Sequence, residues 1–168
     1  YVQILNRFCE RFGDDRKVVI SRAPGRVNLM GRHVEHRGGF VNVISINREL
    51  LCVAALRNDD LFRLSDIKPD FEDREFRMRD YLSMMNWQKW IDFLDAKETQ
   101  DLVLNAKGDW ANYVKAAILR LQYTYKEHKV RGMDVVFSGD IPATGGLSSS
   151  SAVVVATAEA AIALNGFD

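Results

Sequence analysis

Apolar positions recur every three to four residues in YVQILNRFCERFG. Val2, Leu5, Phe8, Cys9 and Phe12 share one helical face there, and Gly13 marks the stop. The pattern then alternates. KVVISRAPGRVNLMG is β-branched and broken by Pro24-Gly25, which predicts two strands or one bent strand. GGFVNVISINRELLCVAALRND continues the alternation and predicts a hairpin pair turning near Asn47 to Glu49. LFRLSD and REFRMRD read as short strands at the edge of that sheet. WQKWIDFLDA and DWANYVKAAILRLQYTYKEHK return to the helical period, with Tyr113, Ala117, Leu121 and Tyr125 in line in the second. GMDVVFSGDI predicts another strand, and SSSSAVVVATAEAAIALNG a helix closed by Asn165-Gly166. The expected fold is α+β, with helices packed on a mostly antiparallel sheet.

Composition adds limits to this picture. The 168 residues suit one domain, 47% hydrophobic and 27% charged. Basic and acidic residues number 23 each, so nothing electrostatic favours nucleic acid or an anionic membrane as partner. Arg74, Arg77 and Arg79 alternate with acids and read as a mixed solvated surface. The apolar run from Ala152 is interrupted by Glu159 and is short for a membrane span. The two cysteines, Cys9 and Cys52, sit inside apolar patterns and are expected to be buried thiols of a reducing, cytoplasmic compartment. Tyr1 lies inside a helical pattern and the chain stops soon after another, which reads as a piece cut from a longer protein.

The unusual chemistry is in PATGGLSSSSA. Glycines let backbone approach a ligand, and the first amides of a helix lack internal partners. With the positive end of the helix dipole they make a seat for phosphate. One serine would cap the helix, whereas Ser148, Ser149, Ser150 and Ser151 stand in a row. A capped helix after a flexible turn is the plain alternative. No lysine follows the glycines, and neither G-x-G-x-x-G nor G-x-S-x-G is present.

The stretch resembles the phosphate-binding loop of the GHMP kinases, P-x-x-x-G-L-x-S-S-A. A second stretch, APGRVNLMGRHVEHRGGF, is similar to the galactokinase signature G-R-V-N-L-I-G-E-H-T-D-Y-N-G-G, with Gly25, Arg26, Val27, Asn28, Leu29, Gly31, His33, Gly38 and Gly39 coinciding. DWANYVKAAI resembles the galactokinase segment W-x-N-Y-V-K-G. The resemblance implies the N-terminal domain of a GHMP kinase over residues 1–168, of the kind shared with ribosomal protein S5 domain 2. It further implies a sugar-1-kinase that uses ATP and Mg2+ on a small-molecule sugar. Arg26 would then lie near the anomeric hydroxyl and the transferring phosphoryl. Arg32, His33, Glu35, Gly38 and Gly39 would form the sugar site. Gly145, Gly146, Leu147, Ser148, Ser149, Ser150 and Ser151 would hold the nucleotide phosphates, with Ser150 on magnesium. The catalytic aspartate and the acidic magnesium ligand of the family come after this helix, so the piece alone is expected to be inactive.

Among the positions that depart from that signature, Glu35 stands where the family usually has aspartate, and two others change more of the chemistry. Arg32 replaces a glutamate that accepts a hydrogen bond from the sugar, and His36 replaces a tyrosine. Arginine only donates, and its guanidinium suits a carboxylate, so an acidic sugar is as consistent with Arg32 as galactose is. Other classes are open to the residues alone. A non-catalytic sugar- and ATP-binding regulator would keep both motifs. Zinc on His33, Glu35 and His36 lacks a further ligand nearby. A serine hydrolase built on Ser148 to Ser151 lacks a general base near the loop.

Overall fold

The computed structural model of the chain describes residues 1–31, 34, 38–142 and 146–167. Helix α1, Val2–Phe12, precedes strands β1, Val19–Met30, β2, Asn42–Leu56, β3, Leu61–Asp66, and β4, Arg74–Arg77. Helices α2, Arg79–Leu82, α3, Trp90–Asp95, α4, Lys97–Asn105, and α5, Ala111–Thr124, follow. Strand β5, Met133–Gly139, then leads to helix α6, Ser149–Asn165. The five strands lie in the order β1-β2-β5-β3-β4. Every neighbouring pair is antiparallel except β3 and β5, which run parallel. The expected α+β fold with a mostly antiparallel sheet is therefore present.

Period-two alternation sorts the sheet's two faces. Cys52 and Ala54 of β2 and Val135 and Phe137 of β5 join a large core with Val114, Ile118 and Leu121 of α5 and Ala152, Ala156 and Ala160 of α6. Val53, Ala55 and Val136 point to the other face, under Ile4 and Phe8 of α1. The alanine row of α6 explains its close seat: short side chains let the helix lie near the sheet. There the Ser21 hydroxyl of β1 donates to the carbonyl oxygen of Ala156 at 2.7 Å.

Several expectations are corrected. The hairpin expected near Asn47 to Glu49 is one continuous strand, and the polar triplet marks an irregularity in it. Pro24 pairs with Glu49 and Arg26 with Ser45, so three β2 residues face Gly25 alone. The segment around Pro24-Gly25 is accordingly one strand with shifts of register. On α1 the buried positions are Ile4 and Phe8, while Val2 and Cys9 are exposed, because the helix lies on the sheet along a single narrow stripe. Tyr113 of α5 is likewise exposed, and Val114, Ala117, Ile118 and Leu121 form the buried face. REFRMRD divides after Arg77, with its end in α2. Helix α4 had no strong apolar period to announce it.

Candidate active site

β5 delivers the chain to the serine loop, and its end is firmly held. The Glu49 amide donates to Asp140 Oδ1 at 2.8 Å, and the Asp140 amide donates back to the Glu49 carbonyl at 3.1 Å. Arg48 adds a 2.9 Å ion pair to Asp140 and keeps its carboxyl below the ordinary aspartate range. Beyond Ile141 and Pro142, residues 143–145 fall outside the described set, and with them Gly145. Gly146 and Ser148 have positive φ, 67° and 65°. The left-handed region is natural for glycine but costs a serine on the order of 1 kcal/mol.

Arg26 holds that serine conformation in place. Its backbone amide donates to the Leu147 carbonyl at 3.1 Å, and its Nε donates to the Ser148 hydroxyl at 3.1 Å. Gly25 permits the approach, since a Cβ there would stand 3.0 Å from Ile46 Cδ1 and 3.1 Å from the Leu147 oxygen. The Ser148 hydroxyl thus accepts from Arg26 and keeps its own proton to donate. It does not cap α6 with its side chain, and the first turn of α6 carries no acidic residue. The positive end of a 17-residue helix is left facing the loop without a counter-charge of its own. That arrangement fits phosphate oxygens, which would take the place of the cap.

A cleft of about 260 Å³ extends from this helix end. Ser149, Ser150, Val153, Gly139 and Ile141 line it together with the rings of Phe71, Trp110 and Tyr113. Trp110 is fixed by an Nε1–H bond to the Glu72 carbonyl at 3.0 Å and by edge contacts with Phe71 and Phe137. The sequence patterns did not point to these aromatics as cleft residues. The signal was the Trp110/Tyr113 pair, one helical turn apart at the start of α5, with Tyr113 assigned to a buried face it does not occupy.

Arg26, Leu147 and Ser148 therefore meet, although 122 residues separate Arg26 from Ser148. Ser149, Ser150 and Ser151 lie in the first turn of α6, with Ser149 and Ser150 on the cleft. Gly38 and Gly39 lie in the connection between β1 and β2, where the Gly39 amide donates to the Val34 carbonyl at 2.9 Å. Gly31 opens that connection with φ 82°, and a Cβ there would sit 2.2 Å from the Phe40 oxygen. Arg32, His33, Glu35 and His36 lie outside the described residues. Among the described residues no group of three His, Cys, Asp or Glu side chains stands ready for a metal. Nor, among the described residues, is any helix long and apolar enough to cross a membrane.

Residues 6–56 match the galactokinase galactose-binding signature, and residues 112–168 match the GHMP kinases N terminal domain. Both matched segments are ones that GHMP kinases carry. Among them, the chain's relatives are galactokinases. It is 33% identical over 137 residues to the galactokinase of Chloroflexus aurantiacus, covering 82% of this chain and 29% of that protein. It is 32% identical over 152 residues to that of Lactococcus lactis subsp. cremoris, covering 89% and 32%. Among solved structures it superposes on Lactococcus lactis galactokinase complexed with galactose with a TM-score of 0.68 at 26% identity, covering 93% of this chain and 35% of that one. A mevalonate kinase shares the fold, with a TM-score of 0.60 at 21% identity and coverage of 89% and 41%. The chain spans about a third of the length of the galactokinases it matches.

Proposed function

We propose that the protein transfers the γ-phosphoryl group of ATP to the anomeric hydroxyl of a monosaccharide, galactose or a related sugar, neutral or acidic. Residues 1–168 are then the N-terminal domain, carrying the phosphate loop and part of the sugar pocket. The observation that carries the reading is the junction of the two motifs. Arg26, from the galactose-binding signature, touches Leu147 and Ser148 of the serine loop at 3.1 Å. A guanidinium beside a phosphate seat and a sugar loop suits a reaction governed by positioning and charge stabilisation.

In this reading the amides and hydroxyls of Gly145 to Ser151 bind the nucleotide phosphates at the start of α6. The base and ribose extend along the aromatic wall of the cleft. Arg26 offsets charge on the transferring group. Arg32, His33, Glu35, Gly38 and Gly39 bind and orient the sugar. Ser150 supplies a hydroxyl oxygen of the kind that coordinates hard cations, and it would hold Mg2+, whose charge would offset that of the phosphates.

The test is ADP release by the full-length protein with ATP, Mg2+ and a panel of neutral and acidic monosaccharides. Turnover with at least one sugar is expected. Arg26→Ala should lower kcat by roughly 10²–10³, the usual effect of removing one preorganised donor. Release of ADP that is independent of sugar, or no release with any sugar, would refute the reading.

A further inference from the structure

Glu49 ties strands β1, β2 and β5 together where the chain leaves the sheet for the serine loop. Its carboxylate Oε2 accepts from Arg22 of β1, from Nε at 2.9 Å and from Nη2 at 2.6 Å. Its backbone faces β5: the amide donates to Asp140 Oδ1 at 2.8 Å, and the carbonyl accepts the Asp140 amide at 3.1 Å. With both backbone groups turned to Asp140, Glu49 meets Pro24 as a non-hydrogen-bonded pair, which suits a residue that has no N–H. Asp140 thereby extends the β2–β5 ladder one step beyond the Leu50–Gly139 pair.

Arg26 takes its place from the same junction. On β1 it follows Pro24 across the Gly25 irregularity, so the Pro24–Glu49 pair fixes where its backbone stands. On the loop, Leu147 and Ser148 each accept from it at 3.1 Å. The loop is therefore tied at its entry by Asp140 and at its exit by Arg26, and both ties lead back to Glu49. The Arg48–Asp140 ion pair is 57% and 51% exposed on its two sides, and such pairs contribute little. The directed contact is the bond from the Glu49 amide to Asp140 Oδ1. Resting on the phosphoryl-transfer reading above, we propose that Asp140 is a positioning residue for that reaction, which by holding the loop entry to Glu49 sets the placement of Arg26 against the transferring group. Without this contact the loop entry can shift and draw the Arg26 Nε with it through Ser148. A small displacement of a group that acts by its position costs turnover steeply.

The test is ADP release by the full-length protein with ATP, Mg2+ and the sugar it turns over, with kcat and KM read separately. Asp140→Ala should lower kcat about tenfold or more, with KM for ATP changed by less than about threefold. Asp140→Asn keeps an oxygen for the Glu49 amide and should restore most of that loss. Arg48→Ala removes only the ion pair and should stay near the unmodified value. In an Arg26→Ala background, Asp140→Ala should have less than about a twofold further effect on kcat, because the group it positions is gone. An equal loss of kcat in both backgrounds overturns the assignment, as does full kcat in Asp140→Ala, no rescue by asparagine, or an equal loss in Arg48→Ala. An Asp140→Ala protein unfolded at the assay temperature by circular dichroism would make the contact a support of the fold and also overturn it. If the unmodified protein releases no ADP with any sugar, the phosphoryl-transfer reading itself falls and this assignment with it.

Discussion

Replacing Asp134 by alanine should lower the thermal stability of the domain before any change at the cleft is felt. Its side chain is fully enclosed, and three arginines converge on it. Arg16 Nη1 donates to it at 3.0 Å, Arg57 Nη1 at 3.0 and 3.2 Å, and Arg63 Nε at 2.6 Å. These arginines come from the segment after α1, the end of β2 and the middle of β3. One carboxylate on β5 therefore ties together the parts that flank it. Burial raises the carboxyl pKa, yet the bonds from Arg63 and Arg16 and the charge of Arg57 outweigh it and hold Asp134 below the ordinary range. Removing one partner of a buried ion pair costs about 3–5 kcal/mol. The three guanidiniums remain 26%, 20% and 37% exposed, so water can partly take over, and the lower end, about 3 kcal/mol, applies. For a domain of this size that loss corresponds to a Tm lowered by about 6–12 °C. Thermal unfolding followed by circular dichroism reads it, with Asp134→Asn as the variant that keeps shape and loses charge and should fall in between. A Tm within about 2 °C of the unmodified protein for Asp134→Ala would refute the view that this cluster carries the sheet.

Acid should destabilise the fold in a defined window. Asp59, bonded to Arg57, has its carboxyl lowered to about 2, and Asp60 and Asp134 are also held low by arginine. Groups with depressed values stabilise the native state above the unfolded pKa near 4, and that contribution fades as pH falls through the folded values. Urea midpoints should therefore decline between about pH 4 and pH 2, and a flat profile there would contradict the pairing. A thiol reagent should modify exposed Cys9 quickly in the native protein and Cys52 only on unfolding, since burial pushes the latter's pKa to about 12. Equal rates would contradict the core assignment. Arg32→Glu in the full-length enzyme should move preference from an acidic sugar toward galactose by about one to two orders of magnitude in kcat/KM. Unchanged ratios for galactose and galacturonate would make Arg32 a surface charge.

The serine loop and Arg26 were legible because their chemistry is local: glycines and serines before an apolar helix, and a Pro-Gly pair inside a strand. The α6 boundaries followed from the serines at its start and Asn165-Gly166 at its end, and most of the strand content from the period-two alternation. The β2 hairpin misreading has a physical origin, since Asn47-Arg48-Glu49 looks like turn residues until Pro24 and Glu49 are seen to pair across an irregularity. The aromatic cleft was hidden for a different reason. Phe71, Trp110 and Phe137 come together only through the β3–β5 pairing and the docking of α5. The Asp134 cluster joins residues up to 118 positions apart, a distance no window of sequence spans.

Phosphorus NMR of the full-length protein with ATP, Mg2+ and either galactose or galacturonic acid tests the central claim most directly. The account predicts loss of the ATP γ-phosphate signal and a new phosphomonoester split by the anomeric proton. ATP left intact with both sugars, or a phosphomonoester coupled to a proton other than the anomeric one, would contradict it.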